Sequence, residues 1–99
     1  MKAPSDRYTW VTHFCHLISK DTQVDWEYQT TGGGCDCYQF TEPSGNYWMI
    51  TNSESAEAPE TMYEPTTLGY YSSDGTEIDV ENFRFLVNAL DAFMRNVAK

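Results

Sequence analysis

Residues 79–99 read DVENFRFLVNALDAFMRNVAK, and their periodicity decides how the rest of the chain must fold. Phe83, Leu86, Val87, Leu90, Phe93, Met94 and Val97 recur at i, i+3, i+4 and i+7, which predicts an amphipathic helix with one continuous apolar stripe. Asp79 is the expected N-cap, with Glu81 in the first turn at the positive end of the dipole. Ile78 is placed to staple onto Phe83, while Arg95 and Lys99 complement the negative end. Such a stripe must be buried, so the segment before it has to supply an apolar face.

That face is written in period two. Val24, Trp26 and Tyr28 alternate with Asp25 and Glu27, which predicts a half-buried strand. Gly32-Gly33-Gly34 then breaks the pattern as a hairpin connection or bulge. No lysine follows these glycines, so they are not a phosphate-binding loop. Residues 35–41 give a second strand, with Tyr38 and Phe40 opposite Cys35, Cys37 and Gln39. Pro43-Ser44-Gly45-Asn46 is a turn, and residues 47–51 are a third strand. Residues 68–72 make a fourth strand that ends at Ser73-Asp74-Gly75, after which Thr76-Glu77-Ile78 pair briefly. At the other end of the chain, Ser5 is the expected N-cap of a helix over residues 5–19, with Tyr8, Val11, Phe14, Cys15 and Ile18 on its inner side. Thr9, Val11 and Thr12 are β-branched and oppose that helix locally. The expectation is a single α+β domain over residues 1–99: an N-terminal helix, a three- to four-stranded antiparallel meander, and a C-terminal amphipathic helix packed on the sheet.

Residues 52–66 change character, with four glutamates, two prolines and few large apolar side chains. They read as a long acidic loop, with Met62 and Tyr63 either pinning it to the body or anchoring a partner. On the last helix, Phe85 falls opposite Phe83 and beside Ala89 and Ala92. A large aromatic among small residues on an outer face suits a homodimer seam or a partner contact.

Charge is the strongest functional signal. The 99-residue chain has a formal net charge of −9. Residues 21–83 contain no Lys, Arg or His, yet they hold thirteen acids. No salt bridge can form within that block, and its self-repulsion costs stability. Direct nucleic-acid binding is excluded as an expectation, because phosphate must be neutralised by Lys and Arg. The acids instead suit a basic surface on another protein, with Asp25, Glu27, Asp36, Glu42, Glu54, Glu57, Glu60 and Glu64, together with Met62, Tyr63 and Phe85, as the expected contact residues.

Catalysis and metal binding find little footing. His13 and His16 stand close together without a nucleophile signature, and the acids lack neighbouring bases or cations. Cys15, Cys35 and Cys37 are an odd number, which does not suggest a disulfide framework. A zinc site from His13, His16, Cys35 and Cys37 would use Cys-x-Cys rather than the usual Cys-x-x-Cys knuckle, so neither metal nor cofactor is expected. The expectation is a non-enzymatic, cytoplasmic protein, since Met1-Lys2-Ala3-Pro4 leads into polar residues and no window is apolar enough to span a membrane. In class, this size and acidity resemble phage-encoded antagonists of bacterial defence systems, which implies an inhibitor or adaptor that imitates a nucleic-acid backbone. The alternative is a small acidic homodimeric chaperone for an extended client, joined through Phe85, Ala89 and Ala92. A third possibility, a small ligand or sugar held by the sheet aromatics, competes with the simpler role of those rings as core.

Overall fold

The computed structural model describes residues 4–30 and 35–97, with side chains from Tyr8 onward. In chain order the elements are α1 (Pro4–Thr22), β1 (Glu27–Thr30), β2 (Asp36–Thr41), β3 (Tyr47–Asn52), β4 (Thr66–Tyr71), β5 (Glu77–Phe83) and α2 (Leu86–Val97). The five strands form one antiparallel sheet in the order β1-β2-β3-β4-β5, a meander. The expected class is therefore observed with five strands rather than three or four. The glycine run at 32–34 lies outside the described residues.

The N-terminal helix forms despite its β-branched residues because its stripe is well matched to the sheet. Val11, Phe14, Cys15, Ile18 and Thr22 are buried, while His13 and His16 face solvent. Tyr8 stays largely exposed, which corrects its place in the expected inner face. The helix already begins at Pro4, so Ser5 lies inside its first turn rather than capping it. At the other end Gln23 adopts φ 63°, and its N–H donates to the Ser19 carbonyl, closing the helix in a left-handed residue.

Trp26 joins this helix to the sheet. Its backbone N–H donates to Ser19 Oγ at 2.9 Å and its indole N–H to Thr22 Oγ1 at 2.9 Å. Cys15 Sγ donates in turn to the Trp26 carbonyl at 3.1 Å. The strand pairing begins only at Glu27, but the alternation expected from Val24 holds, with Trp26 buried and Asp25 and Glu27 exposed.

Register then sets the core. Tyr38 pairs with Ile50, Phe40 with Trp48, Ile50 with Leu68, and Trp48 with Tyr70. These side chains share the face that both helices cover. Phe93 of α2 is the centre of the aromatic cluster, 4.9 Å from Trp26, 5.1 Å from Trp48 and 6.0 Å from Phe40 by ring centroid. Trp26, Tyr38 and Trp48 are core, as the simpler reading of the aromatics holds. On the reverse face the Tyr47 and Tyr71 rings stack at 5.3 Å. The Tyr71 ring lies across Gly69, where an added Cβ would come within 2.6 Å of it.

The C-terminal helix departs most from expectation. Residues 77–83 are a full strand, paired with β4 from Thr66↔Phe83 to Tyr71↔Glu77 with a bulge near Ile78. Asp79 and Glu81 are thus strand residues, and neither caps nor complements a helix. The helix starts at Leu86, and its opening turn takes the Met62 carbonyl as acceptor for the Val87 N–H at 3.1 Å. Its buried side is Leu86, Ala89, Leu90 and Phe93, again i, i+3, i+4, i+7, but in a rotated phase. Val87 and Met94, expected in the core, are 45% and 38% exposed, and Val97 is also exposed.

Candidate functional site

The segment joining β3 to β4 is acidic in composition but tied to the body at several points, with residues 53–57 exposed. Asn52 Oδ1 accepts from the N–H groups of Glu54 and Ser55, forming an Asx turn at its start. Asn52 Nδ2 donates to Glu64 Oε1 at 2.8 Å, and the other Glu64 oxygen accepts from the Glu60 N–H at 2.9 Å. Ala58 and Pro59 are buried, with the Tyr38 hydroxyl donating to the Pro59 carbonyl at 2.7 Å. The Trp10 indole donates to the Glu60 carbonyl, which ties the segment to α1.

Asp36 completes this closure. It is 6% exposed, and its carboxylate accepts from the Tyr28 hydroxyl and, at 2.9 Å, from the Ala58 N–H. Asp36 and Glu64 therefore bind this chain's own donors, which corrects their expected role as partner-facing acids. Met62 is half-buried against the core and supplies the helix-capping carbonyl, so it pins the segment. Tyr63, 74% exposed, meets the half-buried Phe85 edge-on at 6.1 Å, and the Arg84 guanidinium sits 5.5 Å from the Phe85 ring. Phe85 precedes the helix instead of standing on its outer face. Ala89 is fully buried, so the expected Phe85–Ala89–Ala92 seam does not exist as a surface.

At the opposite end of the sheet a groove of about 530 Å3 opens between β4, β5 and the last turns of α2. Its floor is Trp48, Leu68 and Tyr70, its walls are Ile78, Ala92 and Val97, and three carboxylates, Glu42, Asp79 and Glu81, stand around it. Glu42 is held in place by three donors: the Tyr70 hydroxyl at 2.7 Å, the Trp48 indole N–H at 3.1 Å and the Ser44 hydroxyl at 3.3 Å. Burial alone would raise its carboxyl, but these hydrogen bonds outweigh it and hold the group below the usual carboxylate range. The Tyr70 hydroxyl also accepts from Asn46 Nδ2 at 3.1 Å. Of these hydrogen bonds the Asn46 contact has the largest influence on Tyr70 and lowers its pKa, but the adjacent Glu42 carboxylate prevails and the phenol is raised. Glu42 is thus a fixed negative charge at the polar edges of two aromatic rings. Such a combination suits a cationic side chain with an aliphatic stem.

The bounding strand, β5, is the exposed edge of the sheet. Ile78 and Val80 are 51% and 37% exposed, and Glu77, Asp79 and Glu81 are exposed beside them. Asp79 and Glu81 pair with Tyr70 and Leu68 and so lie on the groove side. Asp25 and Glu27 occupy the other edge, four strand spacings or roughly 19 Å away. Glu54 and Glu57 project from the folded β3–β4 segment. The acids expected to act together are accordingly divided among three places, and the sequence reading omitted Asp79, Glu81 and the groove. The alternation of Glu77, Asp79 and Glu81 with Ile78 and Val80 was the signal that could have shown them.

Cys37 lies on the face of the sheet opposite the helices, whereas His13 and His16 are exposed on α1, so these residues do not converge on one point. Among the described residues, no three His, Cys, Asp or Glu side chains are gathered as a metal ion would require. No described helix is long and apolar enough to cross a membrane. A scan against protein-family models finds no match, and no curated protein or solved structure is found to be similar to this chain.

Proposed function

We propose that this protein is a non-enzymatic inhibitor or adaptor that binds another protein through a basic surface of that partner. The observation that carries the reading is the fixed Glu42 carboxylate bonded to Trp48 and Tyr70, lining one groove with Asp79 and Glu81 in a stretch of chain without a single basic residue. Long-range attraction from the exposed acids raises the encounter rate, and the aromatic floor supplies contact area. The sharper form, imitation of a nucleic-acid backbone against a DNA- or RNA-binding protein, is supported by charge alone.

Affinity capture from host lysate, with wild type and the Asp79→Lys/Glu81→Lys variant as baits, tests the reading. Basic proteins should be retained by wild type at low salt, released at high salt and lost from the variant. A capture set indifferent to both salt and charge reversal would remove the proposal. Adding duplex DNA as competitor separates the nucleic-acid form, since only partners that use the same basic site for DNA will be displaced.

A further inference from the structure

The edge strand beside the groove has more to offer than charge. β5 is seven residues long, has no strand on its outer side among the described residues, and is exposed along nearly its whole length. An uncovered edge presents unpaired N–H and C=O groups and is a template for another strand. Proteins blunt such edges with charge, and here Glu77, Asp79 and Glu81 are all acidic. A second copy of this chain docking on the edge would place carboxylates against carboxylates, which is unfavourable. The same charges favour a strand whose side chains are cationic.

From this edge and its groove we infer that β5 takes up an extended basic segment of the partner as a sixth strand. Its alternate Lys or Arg side chains would enter the groove beside Asp79, Glu81 and Glu42. The alternation of the strand specifies the pattern further. Asp79 and Glu81 face the groove, whereas Val80 faces the reverse side beside Gly69. Beyond the bulge at Ile78, which itself lines the groove, an added strand follows the pleat of residues 79–83, so cationic residues on the groove side alternate with apolar residues on the Val80 side. Main-chain hydrogen bonds supply affinity that is independent of sequence, and the groove supplies the preference for cations at every second position.

This inference rests on the proposed basic partner, and the experiment separates the two. The probe is a labelled peptide of about nine residues alternating lysine and valine, long enough to span the edge. It is titrated with the full chain at low salt, following anisotropy and the fluorescence of Trp48 at the groove floor. Two further peptides carry the same charge: one with the lysines and valines in separate blocks, and one alternating but N-methylated at every second amide. The alternating peptide should bind at least about tenfold more tightly than either, since each loses groove register or ladder hydrogen bonds. It should also lose affinity for Asp79→Lys/Glu81→Lys, whose folding is checked by its near-UV spectrum. Equal binding of all three peptides would overturn strand addition while leaving charge-driven binding intact. Failure of every peptide to bind at low salt would overturn both.

Discussion

Replacing Asp36 separates an acid that holds the fold from one that faces a partner. Its carboxylate is almost fully buried and accepts from the Tyr28 hydroxyl and the Ala58 N–H, 22 residues further along the chain. Hydrogen bonds to a charged acceptor contribute about 1.5–3 kcal/mol each, and relief of the buried charge offsets part of their loss. Asp36→Ala should therefore cost about 2–4 kcal/mol, a large share of the stability of a domain this size. Asp36→Asn keeps an oxygen for Ala58 and should cost about half as much. The control is Asp25→Ala, an exposed acid of the same block, expected to change stability by no more than about 0.5 kcal/mol. Urea unfolding followed by tryptophan fluorescence measures all three, with an unchanged slope showing that the transition remains two-state. Because Asp36 helps to close the β3–β4 segment over Tyr38, whose hydroxyl donates to the Pro59 carbonyl of that segment, proteolysis should also nick residues 53–65 sooner in Asp36→Ala. Equal stability of Asp36→Ala and Asp25→Ala would refute the structural role and return Asp36 to the list of partner-facing acids.

The phase of α2 can be checked at two positions. Phe93→Ala empties a site touched by three aromatic rings and should cost about 3–5 kcal/mol, whereas Val87→Lys should stay within about 0.5 kcal/mol, the reverse of what a Val87-lined stripe requires. The thiols offer a second check: burial pushes Cys15 and Cys37 up to about 11, with Glu27 and Asp36 respectively adding to it, while Cys35 is exposed. At about pH 8 only roughly one buried thiol in a thousand is ionised, so iodoacetamide should modify Cys35 first and the other two only on unfolding. Modification of Cys37 in the folded protein as fast as Cys35 would contradict its burial.

Where a pattern is local, the chain declares it. The stripe from Val11 to Ile18 prevails over β-branched Thr9, Val11 and Thr12, and the alternation through Tyr38, Phe40, Trp48 and Ile50 gives the core face directly. Residues 77–83 defeat local reading because two signals coincide there. Asp79 followed by acid and an apolar run matches a helix start, while Ile78 and Val80 between acids match a strand. Pairing with β4 decides between them, and that contact spans residues 66–83. Once the strand is assigned, the helix loses its first turns and its stripe rotates to Leu86, Ala89, Leu90 and Phe93. The groove was illegible for the same reason, since it exists only where β5 and the shortened helix diverge. The β3–β4 segment misleads in another way. Its composition is that of a solvated loop, but Glu64 finds donors in Asn52 and Glu60, and the Ala58 N–H reaches back to Asp36 of β2, contacts that no short-range pattern announces.

Acidity in this chain consequently serves two opposite ends. Asp36 and Glu64 face inward and satisfy backbone donors, so that a segment poor in large apolar residues can still be closed over Tyr38. Glu42 stands between the two groups, locked by Tyr70, Trp48 and Ser44 yet bordering open space. Asp79 and Glu81 are exposed on a strand that, among the described residues, is paired on one side only. A solubilising role alone would be met by acids anywhere on the surface, and it would not need one of them hydrogen-bonded to two aromatic side chains. Charges placed on an open edge keep identical edges apart, and they do so without covering the backbone. On the proposed reading the repulsion that keeps this sheet from pairing with itself is the attraction that selects a cationic strand, so self-association and partner binding should respond in opposite directions when Asp79 and Glu81 are neutralised together.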